Sequence, residues 1–344
     1  MPYPVTIRDV EHLEDLLSEP SAEAIDAIRA TAGDIVILGV AGKMGPTLAR
    51  MARRALDAAG VSARVIGVAR FSDPGQQQAL EQQGIETIRC DLLDQNSLAR
   101  LPDAPNVIFM AGRKFGSTGD ESYTWAMNTL LPALVCERYR ASRIAAFSTG
   151  NVYGLTPIGR GGSREHDQPA PVGEYAQSCL GRERMFDYFS RRDSIPVALL
   201  RLNYATEMRY GLLADLAAQV LRREPIDLTM GYFNVIWQAD ANAMALAALA
   251  HTSSPPLIVN LAGEEELSVR ETCTELARMM GVDVSFTARE APDALLSNGA
   301  IGRTLLGAPR VGAAQLLAWT ADWAMRGGAS LGKPTHFASR SGQF

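Results

Sequence analysis

At 344 residues, with 47% hydrophobic and 21% charged positions, the chain is long enough for one large α/β unit or two domains, and its balance excludes disorder and collagen-like repeats. The 33 basic and 38 acidic residues leave a formal charge of -5 and no general cationic surface, which sets nucleic acid aside as a main partner. Four widely spaced cysteines, Cys90, Cys136, Cys179 and Cys273, and four histidines, His12, His166, His251 and His336, form neither a disulfide framework nor a metal-ligand pattern, so a reducing compartment and no metal are expected.

Residues 1–17 are acidic where a signal peptide is basic and then apolar, and no apolar run reaches the roughly 18 residues of a membrane span. A cytoplasmic protein without a membrane partner is expected. Residues 7–30 read as a helical lead-in, with Leu13, Leu16, Leu17, Ile25 and Ile28 at helical spacing and a Ser-Glu-Pro-Ser break over 18–21. From Asp34 the pattern changes to short apolar runs at 35–38, 65–68, 87–88, 107–110, 144–147 and 197–200, separated by segments over 47–59, 122–140 and 174–191 that are long enough for crossover helices. This alternation predicts a Rossmann-type, doubly wound parallel α/β sheet. Beyond Leu202 it loosens into helical segments at 212–223, 240–250 and 269–280, an apolar strand at 257–261, and a tail rich in Gly, Ser and Arg. The expected organisation is a helical extension over 1–32, a dinucleotide-binding domain over 33–205 plus about 232–262, and a smaller substrate-binding cap over 206–231 and 263–344.

The first apolar run leads into Gly39-Val40-Ala41-Gly42-Lys43-Met44-Gly45, followed by a helix. Glycines three apart at a strand-to-helix join allow a tight turn, close approach of a pyrophosphate and tight helix packing, while the helix amino terminus favours the anion. Where an NAD site offers a carboxylate after the second strand, this chain has Arg70, Phe71 and Ser72. Arg70 and Ser72, with Lys43 as a second positive charge, can hold a 2'-phosphate, which favours NADP over NAD. Asp91, beside Leu92 after the third strand, is placed either to accept from an adenine amino group or to cap the next helix.

The order of these motifs with those that follow resembles the extended short-chain dehydrogenase/reductases, the family of NAD(P)-dependent sugar epimerases and dehydratases, over about residues 33–290. Met110-Ala111-Gly112 is similar to the family's fourth-strand turn beside the cofactor, and Asn128 matches its helix asparagine. Ser148-Thr149-Gly150-Asn151-Val152-Tyr153-Gly154 resembles the fifth-strand motif, with Thr149 at the active-site Ser/Thr position. Tyr175 matches the catalytic tyrosine of the Tyr-x-x-x-Lys helix, but Cys179 stands where that motif has lysine. The resemblance implies hydride transfer with Tyr175 and Thr149 at the substrate hydroxyl, and a homodimer formed by the 122–140 and 174–191 helices. Members that dehydrate nucleotide sugars carry Asp-Glu where this chain has Gly150 and Asn151, so dehydration of that type is disfavoured.

A phenol with a pKa of about 10 is ionised at neutral pH only about one part in a thousand, and each decade of depression takes about 1.4 kcal/mol of phenolate stabilisation. In the resembled family the lysine and the cofactor charge supply it. A neutral thiol does not, and a thiolate would push Tyr175 upward. Tyr175 is therefore expected to act as an acid or hydrogen-bond donor unless another cation serves it. Arg113, Lys114 and Arg182 are candidates; Arg182 is about two helical turns, roughly 10 Å, from Tyr175, which leaves Lys114 better placed. Cys179 reads either as a nucleophile or redox switch or as a small buried helix residue. Glu174 and His166 lie where a substrate contact is open to them, and Arg160, Arg164, Arg201 and Arg209 offer anion contacts or are simply solvated. The leading expectation is an NAD(P)-dependent oxidoreductase or epimerase acting on a sugar-like or other hydroxylated small molecule. The alternatives are a dinucleotide sensor or regulatory protein that has lost hydride chemistry, and a lyase or isomerase that uses the cofactor transiently.

Overall fold

The apolar runs form one parallel sheet in the computed structural model, which describes residues 3–114, 116 and 118–342. Its strands are β1 (Ile35–Leu38), β2 (Val65–Ala69), β3 (Glu86–Arg89), β4 (Asn106–Phe109), β5 (Arg143–Thr149), β6 (Val197–Leu202) and β7 (Leu257–Leu261). They lie in the order β7-β6-β5-β4-β1-β2-β3 and every neighbouring pair is parallel. β1, β2 and β4 are buried at every position because helices cover both faces, whereas β3 closes one edge and is half open to solvent. This is the expected doubly wound α/β fold. Its switch point lies between β1 and β4, whose following loops diverge to opposite sides and leave a crevice at the carboxyl ends of the strands.

The lead-in forms two helices, α1 (Val10–Leu17) and α2 (Ala22–Thr31), capped by Asp9 and Ser21 and separated at the Ser-Glu-Pro-Ser break. They bury Leu13, Leu16, Leu17, Ala24 and Ile28, with α2 lying against α3 (Gly45–Ala59). α4 (Pro74–Gln82) lies against β3 and α3, and α5 (Gln95–Ala99) follows β3. The single helix expected over 122–140 is corrected to three pieces: α6 (Glu121–Trp125), a π turn over Ala126–Leu130, and α7 (Leu131–Arg138). Pro132 has no N–H for the regular ladder, and Leu131 N–H reaches back to Ala126 O instead. α8 (Gly173–Asp193) is the helix expected over 174–191.

The carboxyl-terminal half contributes α9 (Leu212–Leu221), α10 (Gln238–Ala247), α11 (Val269–Met280), α12 (Ala300–Leu306) and α13 (Ala313–Met325). Short strand pairs join Thr156–Pro157 to Asp293–Ala294, Ala205–Thr206 to Ile236–Trp237, Ile226–Asp227 to Phe286–Thr287, and Tyr232–Phe233 to Leu267–Ser268. After α13 the chain runs without helix or strand through residue 342. Among the described residues no helix is long and apolar enough to cross a membrane.

Candidate active site

The glycine loop sits in the crevice. Gly39 has φ of 91° and packs so closely on the loop after β4 that a Cβ would stand 2.7 Å from the Cα of Ala111. Gly45 opens α3 against Val40, where a Cβ would meet the Val40 carbonyl oxygen at 2.0 Å. A Cβ on Gly42 would meet only Gly39 O at 3.4 Å, and the α3 amino terminus has no side-chain cap; Gly45 N donates to Gly42 O at 3.1 Å and Pro46 has no N–H, which leaves Thr47 N as the donor of the first turn. These residues fit a dinucleotide pyrophosphate.

Arg70 and Ser72 are exposed at the end of β2, and Arg70 donates to the Tyr123 hydroxyl at 3.1 Å. Lys43 faces Tyr210 instead: its ammonium is 3.3 Å from that ring's centroid. Burial and the nearby charges of Lys333 and Lys114 bring its pKa down to about 7. Asp91 is exposed and accepts from Leu93 N at 3.1 Å; the cap of the following helix is Asp94, which corrects the capping alternative for Asp91. Leu92 and Ala111 are buried, and Met44 turns its carbonyl to Leu48 N and Thr47 Oγ1.

Asn128 lies in the π turn, fully buried. Its Oδ1 accepts from Arg113 N at 2.8 Å and Arg182 Nη2 at 2.8 Å, and its Nδ2 donates to Arg113 O at 2.8 Å and Ser178 Oγ at 3.0 Å. Every hydrogen-bonding position of the amide is therefore used inside the protein, and Asn128 ties the Gly112-Arg113-Lys114 turn to α8. Arg182 also donates to Phe147 O at 2.7 Å, and a Cβ on Gly112 would collide with it at 2.3 Å. Its guanidinium joins β5, the π turn and α8.

Thr149 ends β5 and accepts from Asn151 N and Nδ2 at 3.1 and 3.0 Å. Tyr175, from the first turns of α8, hydrogen-bonds the side chains of Thr149 and Cys179. Burial, then the neighbouring Cys179, push the Tyr175 phenol well above its ordinary range, with Arg182 and Thr149 opposing. Burial likewise pushes up the Cys179 thiol, which is inaccessible among Val152, Tyr153 and Leu180. The nucleophile reading of Cys179 does not fit this setting. Lys114 Nζ stands 5.8 Å from the Tyr175 ring centroid, and burial brings its pKa down to about 8 against the pull of Cys179 and Asp215.

Two of the proposed anion contacts are corrected. Arg201 on β6 is buried against Glu183 at 2.7 Å and donates to Tyr153 Oη at 2.6 Å, and Arg209 pairs with Glu14 at 2.6 Å and Glu207 at 3.0 Å. Glu174 is exposed and accepts from Trp125 Nε1 at 2.6 Å, and His166 is also exposed. Ser148, Tyr153 and Asn260 complete the Arg201–Glu183 network. Its one sequence signal was an arginine inside the apolar run Leu199-Leu200-Arg201-Leu202, since a charge on a covered strand needs a buried partner. Among the described residues no group of His, Cys, Asp and Glu could hold a metal ion.

A family model described as the NAD dependent epimerase/dehydratase family matches residues 35–262. Among solved structures, UDP-glucuronic acid 4-epimerase from Bacillus cereus, in complex with UDP-glucuronic acid and NAD, is 21% identical with a TM-score of 0.70, covering 85% of this chain and 99% of its own. UDP-glucose 4-epimerase from Thermotoga maritima is 17% identical with a TM-score of 0.71, covering 86% and 99%. A dTDP-glucose 4,6-dehydratase from Streptomyces venezuelae with NAD bound is 21% identical with a TM-score of 0.71, covering 84% and 96%. These identities carry the likeness of fold. No curated protein matches the chain.

Proposed function

Because this chain belongs to the NAD dependent epimerase/dehydratase family, we propose that it is an oxidoreductase or epimerase that transfers hydride between bound NADP and a hydroxyl-bearing carbon of a sugar-like substrate. The observation that carries this reading is the convergence of Thr149, Tyr175 and Lys114 beside the glycine loop. The substrates named for the similar folds favour a nucleotide sugar.

Gly39, Gly42, Met44 and Gly45 would hold the pyrophosphate, with Lys43 of the same loop turned to Tyr210; Asp91 and Leu92 would hold the adenine side, and Ala111 and Gly112 form the floor of the crevice, with Asn128 fixing that floor from behind. When bound, the dinucleotide supplies the hydride acceptor and donor. Thr149 and Tyr175 hold the substrate hydroxyl between them. Tyr175 rests as a neutral phenol and can donate a hydrogen bond; giving and taking a proton both pass through its phenolate, so either role needs the ammonium of Lys114 to steady that anion. Gly150 and Asn151 offer no acid or base for elimination of water, which favours oxidation or epimerisation over dehydration.

Binding of NADP and NAD by calorimetry, followed by turnover against nucleotide sugars and sugar acids, tests the reading. Tyr175→Phe is expected to lower kcat about a hundredfold or more while leaving dinucleotide affinity intact. A wild-type protein with no dinucleotide affinity would overturn the proposal, and binding without turnover would make it a sensor. NADP preference rests on Arg70 and on the missing carboxylate after β2. Arg70→Ala is expected to weaken NADP about 10- to 100-fold, the value of a charge-assisted contact, and to leave NAD nearly unchanged; equal losses for both would assign the residue another role. We place the protein in the cytoplasm and pair two copies through α6, α7 and α8, where Leu130 and Tyr188 are 52% and 54% exposed. A single-chain mass in sedimentation would remove the dimer.

A further inference from the structure

The segment after α13 is stitched across the crevice. Leu331 N donates to Arg209 O at 3.0 Å, and the Thr335 N–H and hydroxyl both donate to Asp215 of α9, at 2.7 and 2.6 Å. Phe337 is buried on the core. Arg340 pairs with Asp293 and donates to the carbonyls of Asp293 at 3.0 Å and Thr229 at 3.4 Å. Gly342 then lies on the start of α8, where a Cβ would stand 2.1 Å from Val172 O. The segment thus joins the cap to the helix end that carries Tyr175.

Between those anchors, Thr335 is only 4% exposed, and its carbonyl oxygen lies 3.5 Å from Lys114 Nζ. The order is Asp215, Thr335, Lys114: a carboxylate fixes a backbone group, and the same residue's carbonyl receives the ammonium that faces Tyr175. Other groups around Lys114 are Tyr175 and Cys179 from α8 and Lys43 from the glycine loop, with Lys333 acting on Lys43 and His336 next along the segment. Asp215 is a carboxylate whose charge reaches both Lys43 and Lys114.

We propose that the segment 331–342 is a third wall of the active site and that Asp215, acting through Thr335, is a positioning residue that holds Lys114 against Tyr175. The role rests on the assignment of Lys114 as the cation serving Tyr175. It makes the carboxyl-terminal segment part of the machinery and not an appendage to it.

The test follows Lys114 directly. In cofactor-free full-length protein, the lysine Cε signal absent from Lys114→Met is titrated by NMR. Asp215→Asn is expected to lower the Lys114 midpoint by about half a pH unit or more, because a charge that favours the ammonium is gone, and Asp215→Glu is expected to restore it. In turnover, the fall of kcat on the alkaline side is expected to move to lower pH by the same amount, with KM little changed. An unchanged midpoint in a folded Asp215→Asn protein would overturn the proposal. The titration reads the coupling of Asp215 to Lys114 even if no substrate turns over, so its failure is separable from failure of the proposed activity. Arg340→Ala, which loosens the segment from the cap, is expected to lower kcat; faster turnover would identify the segment as a plug and overturn its role as a wall.

Discussion

Lys114→Met is expected to lower kcat about a hundredfold and at the same time to raise thermal stability at neutral pH. The loss follows from electrostatics: at an effective dielectric of about 20, a unit charge roughly 6 Å from a phenolate is worth about 3 kcal/mol, or about two decades in rate. The gain has the same origin seen from the resting protein. Burial has brought the Lys114 pKa from 10.5 to about 8, so holding the ammonium in place at pH 7 costs about 3 kcal/mol, which an apolar side chain of similar length does not incur. Between pH 8 and 10.5 the folded protein binds fewer protons at this lysine than the unfolded chain does, so the cost is full below about pH 8 and fades as pH rises through that window. The stability advantage of Lys114→Met should accordingly be greatest near pH 7 and shrink toward pH 10. Melting curves of both proteins at a series of pH values check this; an advantage that grows with pH would show that Lys114 is not buried as an ammonium. Activity lost together with stability gained is what a residue kept for function predicts.

Glu183→Ala is expected to be the most damaging single change to stability, by about 3–5 kcal/mol. Glu183 and Arg201 are 5% and 4% exposed in their side chains, and Arg201 reaches Glu183 through Nε at 3.0 Å and Nη2 at 2.7 Å. Removing the carboxylate leaves a guanidinium in a place that water does not reach, still tied to Tyr153 and to Glu165 O. It also deprives Ser148, beside Thr149, of its acceptor at 2.6 Å. A fall in melting temperature of the order of ten degrees is expected. The double variant Glu183→Met/Arg201→Leu should recover much of the loss, because an apolar pair carries no desolvation cost; a double variant as unstable as the sum of the singles would contradict this account.

Much of the frame was legible without coordinates. Ile35 to Leu38, Val107 to Phe109 and Val197 to Leu200 announce covered strands because no polar side chain interrupts them, and Gly39, Gly42 and Gly45 announce the turn because their spacing suits one backbone geometry. The break at 18–21 and the helix carrying Tyr175 were equally local signals. The π turn was not: 122–140 read as one helix, and which carbonyl Leu131 would choose depended on packing against α8. Arg182 was judged by its distance along the helix axis, a measure blind to a long side chain reaching sideways to Phe147 and Asn128. Arg201 and Arg209 read as surface cations because Glu183, Glu14 and Glu207 are their partners only after folding.

By itself the sequence determined the parallel sheet, the glycine turn after β1, and the placing of Cys179 one helical turn after Tyr175, since each is written in consecutive residues or in a fixed helical offset. Only the tertiary structure decided which groups surround Tyr175 and Cys179. Lys114 comes from the loop after β4, Tyr175 from α8, Asp215 from α9 and Thr335 from the carboxyl-terminal segment, and no periodicity relates them. Their meeting depends on the crevice that opens where β1 and β4 send the chain in opposite directions, and on a tail held across it by Arg340 and Gly342. Local propensity reaches only a few residues along the chain, whereas a buried charge is placed by whatever distant groups the fold brings within a few ångströms of it.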